Sequence, residues 1–338
     1  MDGDLTLEVV DLGSRREVRE VSGFLEGFGL GYGTDLDYSV VLRRGGAIVA
    51  TGSFKGEVLR NMAVSEGERG QGVTATVVTA LMGEQTRRGM VHFFVFTTPK
   101  SAPMFASLGF GEIARAEPGV ALLETGLGSI DGWCRETAGA IRDLPPRRAA
   151  LVMNCNPFTK GHEALVRRAS EENPAVVVLI VSEDRSDIPF ADRFRLAREG
   201  LKALPNVRAV PSGKYSISDA TFPDYFLKSE DGLMAQARLD ATIFADRIAP
   251  ALDISARYLG EEPNCPVTRA YNETLLDVLP RRGVRVEVMP RLGIAGQAIS
   301  ASLVREAWRA GDWATVSDLA PRPTLDYLRA HKAGDPKP

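Results

Sequence analysis

Cysteine is scarce in this sequence, and long apolar runs are missing from it. The three cysteines, Cys134, Cys155 and Cys265, are odd in number and far apart, so the sequence predicts neither a disulfide framework nor a zinc cluster. The longest apolar run, at residues 175–181, is too short to span a bilayer. The N-terminus, MDGDLTLEVVDLG, is acidic and lacks the basic and apolar regions of a signal peptide. We therefore expect a cytoplasmic protein that does not contact membranes.

A large excess of charge of either sign is also missing. Lysine and arginine total 41 against 44 aspartates and glutamates, and this net charge of −3 argues against nucleic acid as a partner. Apolar residues (44%) and charged residues (25%) have the proportions of a soluble globular protein. A chain of 338 residues exceeds one typical hydrophobic core, so we expect two domains.

The first half combines predicted strands with glycine-rich turns. Gly45-Gly46 and Lys55-Gly56 predict hairpin turns, and a glycine-rich segment at 65–72 precedes a helical pattern. Strands are predicted at 38–42, 47–51, 58–64 and 91–96, and helices at 73–88 and from 101 to about 108.

This order of elements, together with the segment MFASLGF, resembles the acetyl-CoA-dependent N-acetyltransferase (GNAT) fold. In that family an R-x-x-G-x-G/A motif surrounds the coenzyme A pyrophosphate with backbone amides at a helix N-terminus. The resemblance implies that Arg69, Gly70, Gln71 and Gly72 bind a coenzyme-A-like arm of a partner. Thr74, however, stands where glycine or alanine is usual in the motif. A degenerate fold kept as a docking or structural module is the alternative.

Glycine and proline mark the end of this half. The segment LPPRR directly precedes a buried apolar run, and a short helix at 130–141 is predicted to bridge the halves. We therefore predict a GNAT-like domain at residues 1–127, a linker at 128–148 and a second domain at 149–338.

The second domain begins with a strand, a tight loop and a helix. Residues 149–153 are all apolar, Pro157 ends the strand, and a helical period begins near Gly161. Thr159 and His162 then lie at the helix N-terminus, where free amides bind anions and Gly161 lets a phosphate approach the backbone. The motif T-x-G-H resembles the nucleotidyltransferase signature. The alternative is an ordinary helix N-terminus without a ligand. This motif alone supports the two interpretations about equally.

The remaining second half alternates strands with helices. This alternation predicts a parallel sheet of Rossmann type, with ligands at the carboxyl ends of the strands. Strands are predicted at 175–181, 207–210, 255–259 and 284–289, and helices at 190–204, 233–247 and 272–279.

A second motif lies in the segment AISASLVR at residues 298–305. Ser300 or Ser302 can cap the following helix, and Arg305 is predicted in its first turn, away from the buried face. A cation there opposes the helix dipole, so it requires an anion such as the phosphates of ATP. The pattern I-S-x-x-x-V-R serves that role in nucleotidyltransferases, and a solvated surface arginine is the alternative. The two motifs together favour a functional site.

Longer segments resemble the citrate lyase ligase family over nearly the whole chain. They are MNCNPFTKGH, SEDRSDIPFADRF, ISDATFPDYFLK, RYLGEEPNCPVTRAYN, QAISASLVR and, in the first half, HFFVFTTPKSAPMFASLGF. The resemblance implies that acetate attacks the α-phosphorus of ATP, which gives acetyl-adenylate and pyrophosphate. The acetyl group then passes to the thiol of a dephospho-coenzyme-A-type prosthetic group on the acyl-carrier subunit of citrate lyase.

The resemblance also implies roles for individual residues. Mg²⁺ is expected with ATP because phosphate charge must be screened, but no metal ligands are assigned. Acetate or the incoming thiol is placed at the polar loop 216–228, and Cys155 is interpreted as a small buried residue, not an acyl carrier. The implied catalytic residues are His162, Thr159 and Arg305, and the implied ATP-binding residues are Asn154, Asn156, Phe158, Lys160, Gly161, Gly260, Glu261, Ser300 and Ser302.

Several alternatives remain open from the sequence. Lys160 can be solvated, Gly260 and Glu261 can form an exposed turn, and Asn154 and Asn156 can orient either the loop or acetate. Other functions are an adenylyltransferase of cofactor synthesis, the same ligase chemistry on the malonate decarboxylase carrier, and a non-catalytic ATP sensor. Acetate-dependent exchange of pyrophosphate into ATP distinguishes these functions from one another, except for the choice between the citrate lyase and the malonate decarboxylase carrier.

Overall fold

A computed structural model describes residues 4–33, 35–183, 186–217, 222–223, 230–262, 265–290, 293–294 and 297–331. The chain divides into two compact units, each with its own sheet and hydrophobic core. Unit 1 comprises residues 1–129 and 221–239, and unit 2 comprises residues 130–220 and 240–338. In the described part of the chain, no helix combines the length and apolar character that crossing a membrane requires.

Unit 1 contains a mixed sheet with helices. Its elements are β1 (Leu5–Val9), α1 (Arg15–Glu26), β2 (Tyr38–Arg44), β3 (Ala47–Lys55), β4 (Val58–Val64), α2 (Val73–Arg87), β5 (His92–Thr97), α3 (Ala102–Ser107), β6 (Gly111–Ala116) and β7 (Val120–Gly126). Among the described residues, seven strands pair in the order β1-β2-β3-β4-β5-β7-β6. Neighbouring strands are antiparallel except β4 and β5, which are parallel.

The turns and close contacts of unit 1 depend on glycine. Gly45, Gly46 and Gly56 have positive φ angles of 59°, 85° and 53°, as the predicted hairpin turns require. A Cβ atom on Gly52 of β3 would lie 2.6 Å from Val77 Cγ1, so its absence allows α2 to pack closely on the sheet. The predicted strands and helices of this half are confirmed, and β1, α1, β6 and β7 are additional.

Unit 2 contains a parallel sheet. The elements from residue 130 onward are α4 (Ile130–Ala140), β8 (Arg148–Met153), α5 (Lys160–Glu172), β9 (Val176–Ile180), α6 (Phe190–Gly200), β10 (Val207–Pro211), α7 (Glu230–Ile243), α8 (Ala249–Ala251), β11 (Ile254–Gly260), α9 (Pro266–Val278), β12 (Arg285–Met289), β13 (Gly293–Ile294), β14 (Gln297–Ala298), α10 (Ala301–Ala310), α11 (Trp313–Leu319) and α12 (Arg322–Ala330). In the described part of this unit, five strands pair in parallel in the order β10-β9-β8-β11-β12. The predicted Rossmann-type sheet is therefore confirmed.

One face of this sheet forms the core beneath the predicted site. Leu151 and Met153 of β8 belong to one buried cluster with Val166 of α5, Leu196 of α6 and Val304 of α10. Strand side chains alternate between faces, so these residues share one side of the sheet. The packing fixes α5 and α10 against the same sheet, and this positions their N-termini.

The two units differ from the domain boundaries expected from sequence. Helix α4, predicted within a linker at 128–148, groups with unit 2, and residues 221–239 group with unit 1 although they lie within the predicted second domain. Helix α9 begins at Pro266, six positions before the predicted start, because proline suits the first helical position. The assignment of separate functions to residues 1–127 and 149–338 stays a prediction.

Candidate active site

The loop after β8 lies at the carboxyl edge of the parallel sheet. Asn154 is exposed, and its Oδ1 accepts a hydrogen bond from Arg193 Nη1 at 2.8 Å. Asn156 is 8% exposed, and its Oδ1 accepts from the backbone N–H of Ile188 at 3.2 Å. The structure therefore brings both asparagines to the predicted edge. The Asn156 side chain holds the adjacent loop, whereas the Asn154 side chain reaches the surface.

Thr159 and His162 form a reciprocal cap at the start of α5. Thr159 Oγ1 accepts from His162 N at 3.2 Å, and Thr159 N donates to His162 Nδ1 at 3.1 Å. Because Nδ1 accepts this bond, the neutral imidazole carries its proton on Nε2, where it can donate to an anionic oxygen. Thr159 is 1% exposed. Its hydroxyl therefore orients His162, and its expected contact with phosphate stays a prediction.

Phe158 supports this cap from the core. The residue has no exposed surface. Its ring stacks on the imidazole of His162, with the two ring centroids 5.9 Å apart. A Cβ atom on Gly200 of α6 would lie 2.4 Å from Phe158 Cε1, so glycine makes room for the ring. Thr324 Oγ1 donates to the Phe158 carbonyl at 2.8 Å. The ring is therefore enclosed by protein, and the assignment of Phe158 to the ATP-binding residues stays a prediction.

Gly161 joins the two sequence motifs. A Cβ atom at this position would lie 3.1 Å from the carbonyl oxygen of Ile299 and 3.3 Å from its Cβ. Ile299 directly precedes Ser300, the N-cap residue of α10. The absent side chain thus lets the segment before α10 approach the first turn of α5. This contact gives Gly161 a packing role in addition to the predicted access for phosphate.

Arg305 extends from α10 toward the β8 loop. Ser300 caps the helix by accepting from Leu303 N at 3.2 Å, so Arg305 lies in the second turn and not in the first turn as predicted. Arg305 Nη1 donates to the Asn156 carbonyl oxygen, and Nη2 donates to Ser302 Oγ at 3.1 Å. Its Nε lies 3.0 Å from Asp187 Oδ2. The anion beside Arg305 in this structure is a carboxylate of the protein, and the expected contact with the phosphates of ATP stays a prediction.

Arg193 is a component of the site that sequence reasoning missed. It is fully buried on α6 and donates through Nη1 to the Asn154 carbonyl at 2.6 Å and to the Val181 carbonyl at 2.9 Å. Its Nε donates to the Ile188 carbonyl at 3.1 Å, and its Nη2 donates to the Glu183 carbonyl. One guanidinium therefore holds the loops after β8 and β9 together. The segment ADRFR gives no sign of this, because arginine in an amphipathic helix is usually on the surface.

The remaining predicted ATP-binding residues lie around this edge. Lys160 Nζ donates to the Ser317 carbonyl at 3.0 Å near the end of α11, so its charge complements that helix's C-terminus. Gly260 ends β11, and its carbonyl accepts from Asn272 Nδ2 at 3.0 Å. Glu261 is exposed, and its backbone N–H donates to the Met289 carbonyl at 2.8 Å. The structure places Gly260 and Glu261 at the same sheet edge as Asn154.

Cys155 is a structural residue. It is 1% exposed at the end of β8, and burial raises the pKa of its thiol to about 12. The thiolate that would carry an acyl group is therefore inaccessible and disfavoured at neutral pH. This agrees with its interpretation from the sequence.

A buried polar cluster anchors the start of the loop predicted to bind acetate. Asp240 accepts a hydrogen bond from Ile217 N at 2.8 Å and another from the Tyr271 hydroxyl, and Arg257 lies nearby with 2% exposure. Burial raises the pKa of Asp240 and raises that of Tyr271 well above 10. In the predicted loop 216–228, residues 218–221 and 224–228 lie outside the described residues.

The predicted arm-binding loop of unit 1 is exposed and directly precedes a helix. Gly70 and Gly72 have φ angles of 79° and 78°, and Gly72 is the N-cap residue of α2. The Arg69 side chain is 59% exposed and lies 3.3 Å from Glu66 Oε1, while Gln71 Nε2 donates to the Gly67 carbonyl at 2.8 Å. Glycine is required here because other residues rarely adopt positive φ.

Substitution of Gly161 by alanine is expected to lower the free energy of unfolding by about 1 kcal/mol. Overpacking against Ile299 costs about 1–3 kcal/mol, which the better helix propensity of alanine only partly offsets by about 0.5–1 kcal/mol. Gly139→Ala in α4 is the control, because a Cβ atom there meets nothing within 4 Å. Urea denaturation of both variants measures the difference. Equal stabilisation of the two variants would show that Ile299 adjusts without cost.

Unit 2 has the features of a nucleotidyltransferase-like domain. The capped helices α5, with the imidazole of His162, and α10, with the guanidinium of Arg305, meet at the carboxyl edge of a parallel sheet. The family model of the citrate lyase ligase C-terminal domain matches residues 148–328. The [Citrate [pro-3S]-lyase] ligase of Klebsiella pneumoniae is 34% identical over 320 residues, which cover 93% of this chain and 92% of the relative. This chain belongs to the citrate lyase ligase family.

Two further similarities are local. The phosphopantetheine adenylyltransferase of Azoarcus sp. is 50% identical over 56 residues, which are 16% of this chain and 34% of that protein. Among solved structures, an acetyltransferase of the GNAT family from Staphylococcus aureus Mu50 covers 37% of this chain and 100% of its own, with 14% identity and a TM-score of 0.32. The predicted α/β fold class is confirmed: among the described residues, unit 1 contains a seven-stranded mixed sheet and unit 2 contains a five-stranded parallel sheet of Rossmann type.

Proposed function

We propose that this chain uses ATP to activate acetate as acetyl-adenylate, with release of pyrophosphate. In the second step it transfers the acetyl group to the thiol of a dephospho-coenzyme-A-type prosthetic group on the acyl-carrier subunit of citrate lyase. The observation that carries this proposal is the junction of the two motifs, through the Gly161–Ile299 contact and the hydrogen bond from Arg305 to Asn156. One triphosphate at this junction reaches both motif helices.

His162 acts on the reacting phosphate. Its Nδ1 is held by the Thr159 N–H, which fixes the ring and leaves the proton on Nε2. Donation from Nε2 to a phosphate oxygen stabilises the negative charge that develops at the α-phosphorus as acetate attacks. Because the cap and the stacked Phe158 orient the imidazole in advance, this stabilisation requires little rearrangement.

The departing pyrophosphate is bound by Arg305. A guanidinium suits this task because it stays charged and donates two parallel hydrogen bonds to phosphate. Ser302 Oγ accepts from Arg305 Nη2, which orients the side chain toward the loop after β8. The exposed Asn154 side chain at the same edge is suited to donate to the acetate carboxylate. Gly260 and Glu261 form the proposed adenosine wall.

Mg²⁺ is proposed to accompany ATP, where it would screen phosphate charge and so permit attack by an anion. Among the described residues, no group of three His, Cys, Asp or Glu side chains could hold a metal ion. The proposed ion would be held chiefly by phosphate oxygens and water, as is common for Mg²⁺ at nucleotides. The steps assigned to His162 and Arg305 do not depend on a protein-bound metal.

The test is exchange of labelled pyrophosphate into ATP. We expect exchange with acetate and none with 4′-phosphopantetheine, followed by acetylation of the carrier when it is added. A phosphopantetheine adenylyltransferase activity is the second candidate, because a short segment is 50% identical to such an enzyme. Exchange that requires 4′-phosphopantetheine and ignores acetate would establish that alternative. Exchange with neither acceptor would contradict both.

The loop of Arg69, Gly70, Gln71 and Gly72 is proposed to bind the coenzyme-A-like arm of the carrier. The double substitution of Gly70 and Gly72 by valine is expected to lower carrier acetylation at least tenfold and to leave acetate-dependent exchange unchanged. Both residues have positive φ angles, so valine distorts the loop whose amides would bind pyrophosphate. Gly89→Val is the control, because Gly89 also has positive φ (85°) but lies after α2. Unchanged carrier acetylation in the double variant would rule out this role.

A further inference from the structure

Two arginines on α10 share one carboxylate at the edge of the proposed phosphate site. Asp187 Oδ2 lies 3.0 Å from Arg305 Nε, and Asp187 Oδ1 lies 2.8 Å from Arg309 Nη2. Arg305 and Arg309 are four positions apart, so they occupy the same helix face. The two guanidiniums thus donate to the two oxygens of a single anionic group. Sequence reasoning identified Arg305 but neither Asp187 nor Arg309.

The position of Asp187 is set by the loop between β9 and α6. The next residue, Ile188, donates its backbone N–H to Asn156 Oδ1 at 3.2 Å, and its carbonyl accepts from Arg193 Nε at 3.1 Å. Asp187 itself is 40% exposed, Arg309 is 54% exposed and Arg305 is 21% exposed. Solvent screens such pairs, so exchange of one anion for another costs little.

We propose that Arg309 is a second pyrophosphate-binding residue, and that pyrophosphate displaces Asp187 from both arginines. This inference rests on the proposed function, since it extends the phosphate site assigned to Arg305. An O–P–O group can accept from two guanidiniums in the same way as the O–C–O group of Asp187. Pyrophosphate carries more negative charge than one carboxylate and therefore competes for the same donors.

The displacement gives Asp187 a defined role in ligand selectivity. A weakly charged ligand would not replace the carboxylate, whereas a di- or triphosphate would gain both arginines. Arg305 keeps its hydrogen bonds to the Asn156 carbonyl and to Ser302 during the exchange, because these use Nη1 and Nη2 while Asp187 contacts Nε. Arg309 and Asp187 are therefore positioned to tune affinity for the β- and γ-phosphates.

The test is calorimetric titration of the full chain with inorganic pyrophosphate and with ATP. Arg309→Gln is expected to raise the Kd for pyrophosphate about tenfold, because a charge-assisted contact is lost. Asp187→Asn is expected to lower the same Kd about threefold, because the competing anion is removed. Arg322→Gln is the control, since Arg322 pairs with Asp326 in α12 at an exposed site, and it should bind as the natural chain does.

Two results would overturn the inference. Equal affinity in Arg309→Gln and Arg322→Gln would exclude Arg309 from the site. Weaker binding in Asp187→Asn that is restored by excess Mg²⁺ would make Asp187 a metal ligand and not a displaced anion. Direct binding separates this test from the proposed reaction. Loss of pyrophosphate affinity in Arg309→Gln without acetate-dependent exchange in the natural chain would leave the inference standing and contradict the proposed activation of acetate.

Discussion

Replacement of His162 by alanine is expected to lower acetate-dependent exchange of pyrophosphate into ATP by about 10²–10³-fold, the usual effect of removing one donor to a developing oxyanion. Alanine also removes the hydrogen bond from Thr159 N to Nδ1, so some loss of stability is expected, on the order of 1 kcal/mol. The exchange rate should fall at saturating ATP and acetate, because the lost interaction acts mainly in the transition state.

Two amide variants separate the structural role of His162 from its chemical role. His162→Asn places an acceptor near Nδ1 and can keep the cap, but it lacks a donor at the position of Nε2. His162→Gln places an amide N–H near Nε2 and should restore part of the exchange rate. Thermal unfolding of each variant monitors the cap. Full exchange activity in His162→Asn would mean that the imidazole serves the fold alone.

Replacement of Arg193 by methionine is expected to lower the free energy of unfolding by about 3–5 kcal/mol, as is typical when a buried charged group is removed from its partners. Methionine leaves the carbonyl oxygens of Asn154, Val181 and Ile188 without this donor, and the contact to Ile188 is buried. The loops after β8 and β9 should then separate, so the Kd for ATP should also rise.

Arg195→Met on the same helix is the matched control for Arg193. The Arg195 side chain is 48% exposed and pairs with Asp192 and Glu199, so its loss should cost about 0–1 kcal/mol. Urea denaturation measures both variants, and the slope of each transition shows whether the same surface unfolds. A difference of less than about 1 kcal/mol between the two variants would contradict the bridging role of Arg193.

The parts of the site that local pattern specifies could be predicted from sequence. The apolar run before Asn154, the cap at Thr159 and the cap at Ser300 each depend on a few neighbouring residues. These patterns located both motif helices and the edge where ligands would bind. Their approach through Gly161 and Ile299 is a contact between segments more than a hundred residues apart, which no local period encodes.

Residues whose role depends on distant partners could not be assigned from the sequence. The burial of Phe158 depends on Gly200 and Thr324, which lie far from it in the sequence. Arg193 looks like a surface arginine until its acceptors in other loops are known. In unit 1, β7 pairs with β5 and β6, which lie on both sides of it in the sheet, so its place depends on non-local pairing. Such features follow from tertiary packing.

Residues 221–239 belong to unit 1 although they lie between segments of unit 2. Within unit 1, the buried ring of Phe222 packs edge-on against Phe96, with centroids 5.3 Å apart. The polypeptide therefore passes between the units three times, and splitting the gene near residue 148 would not yield two self-sufficient products. The product with residues 1–148 would lack residues 221–239 of unit 1. The product with residues 149–338 would contain Phe222 but not Phe96, the ring against which it packs.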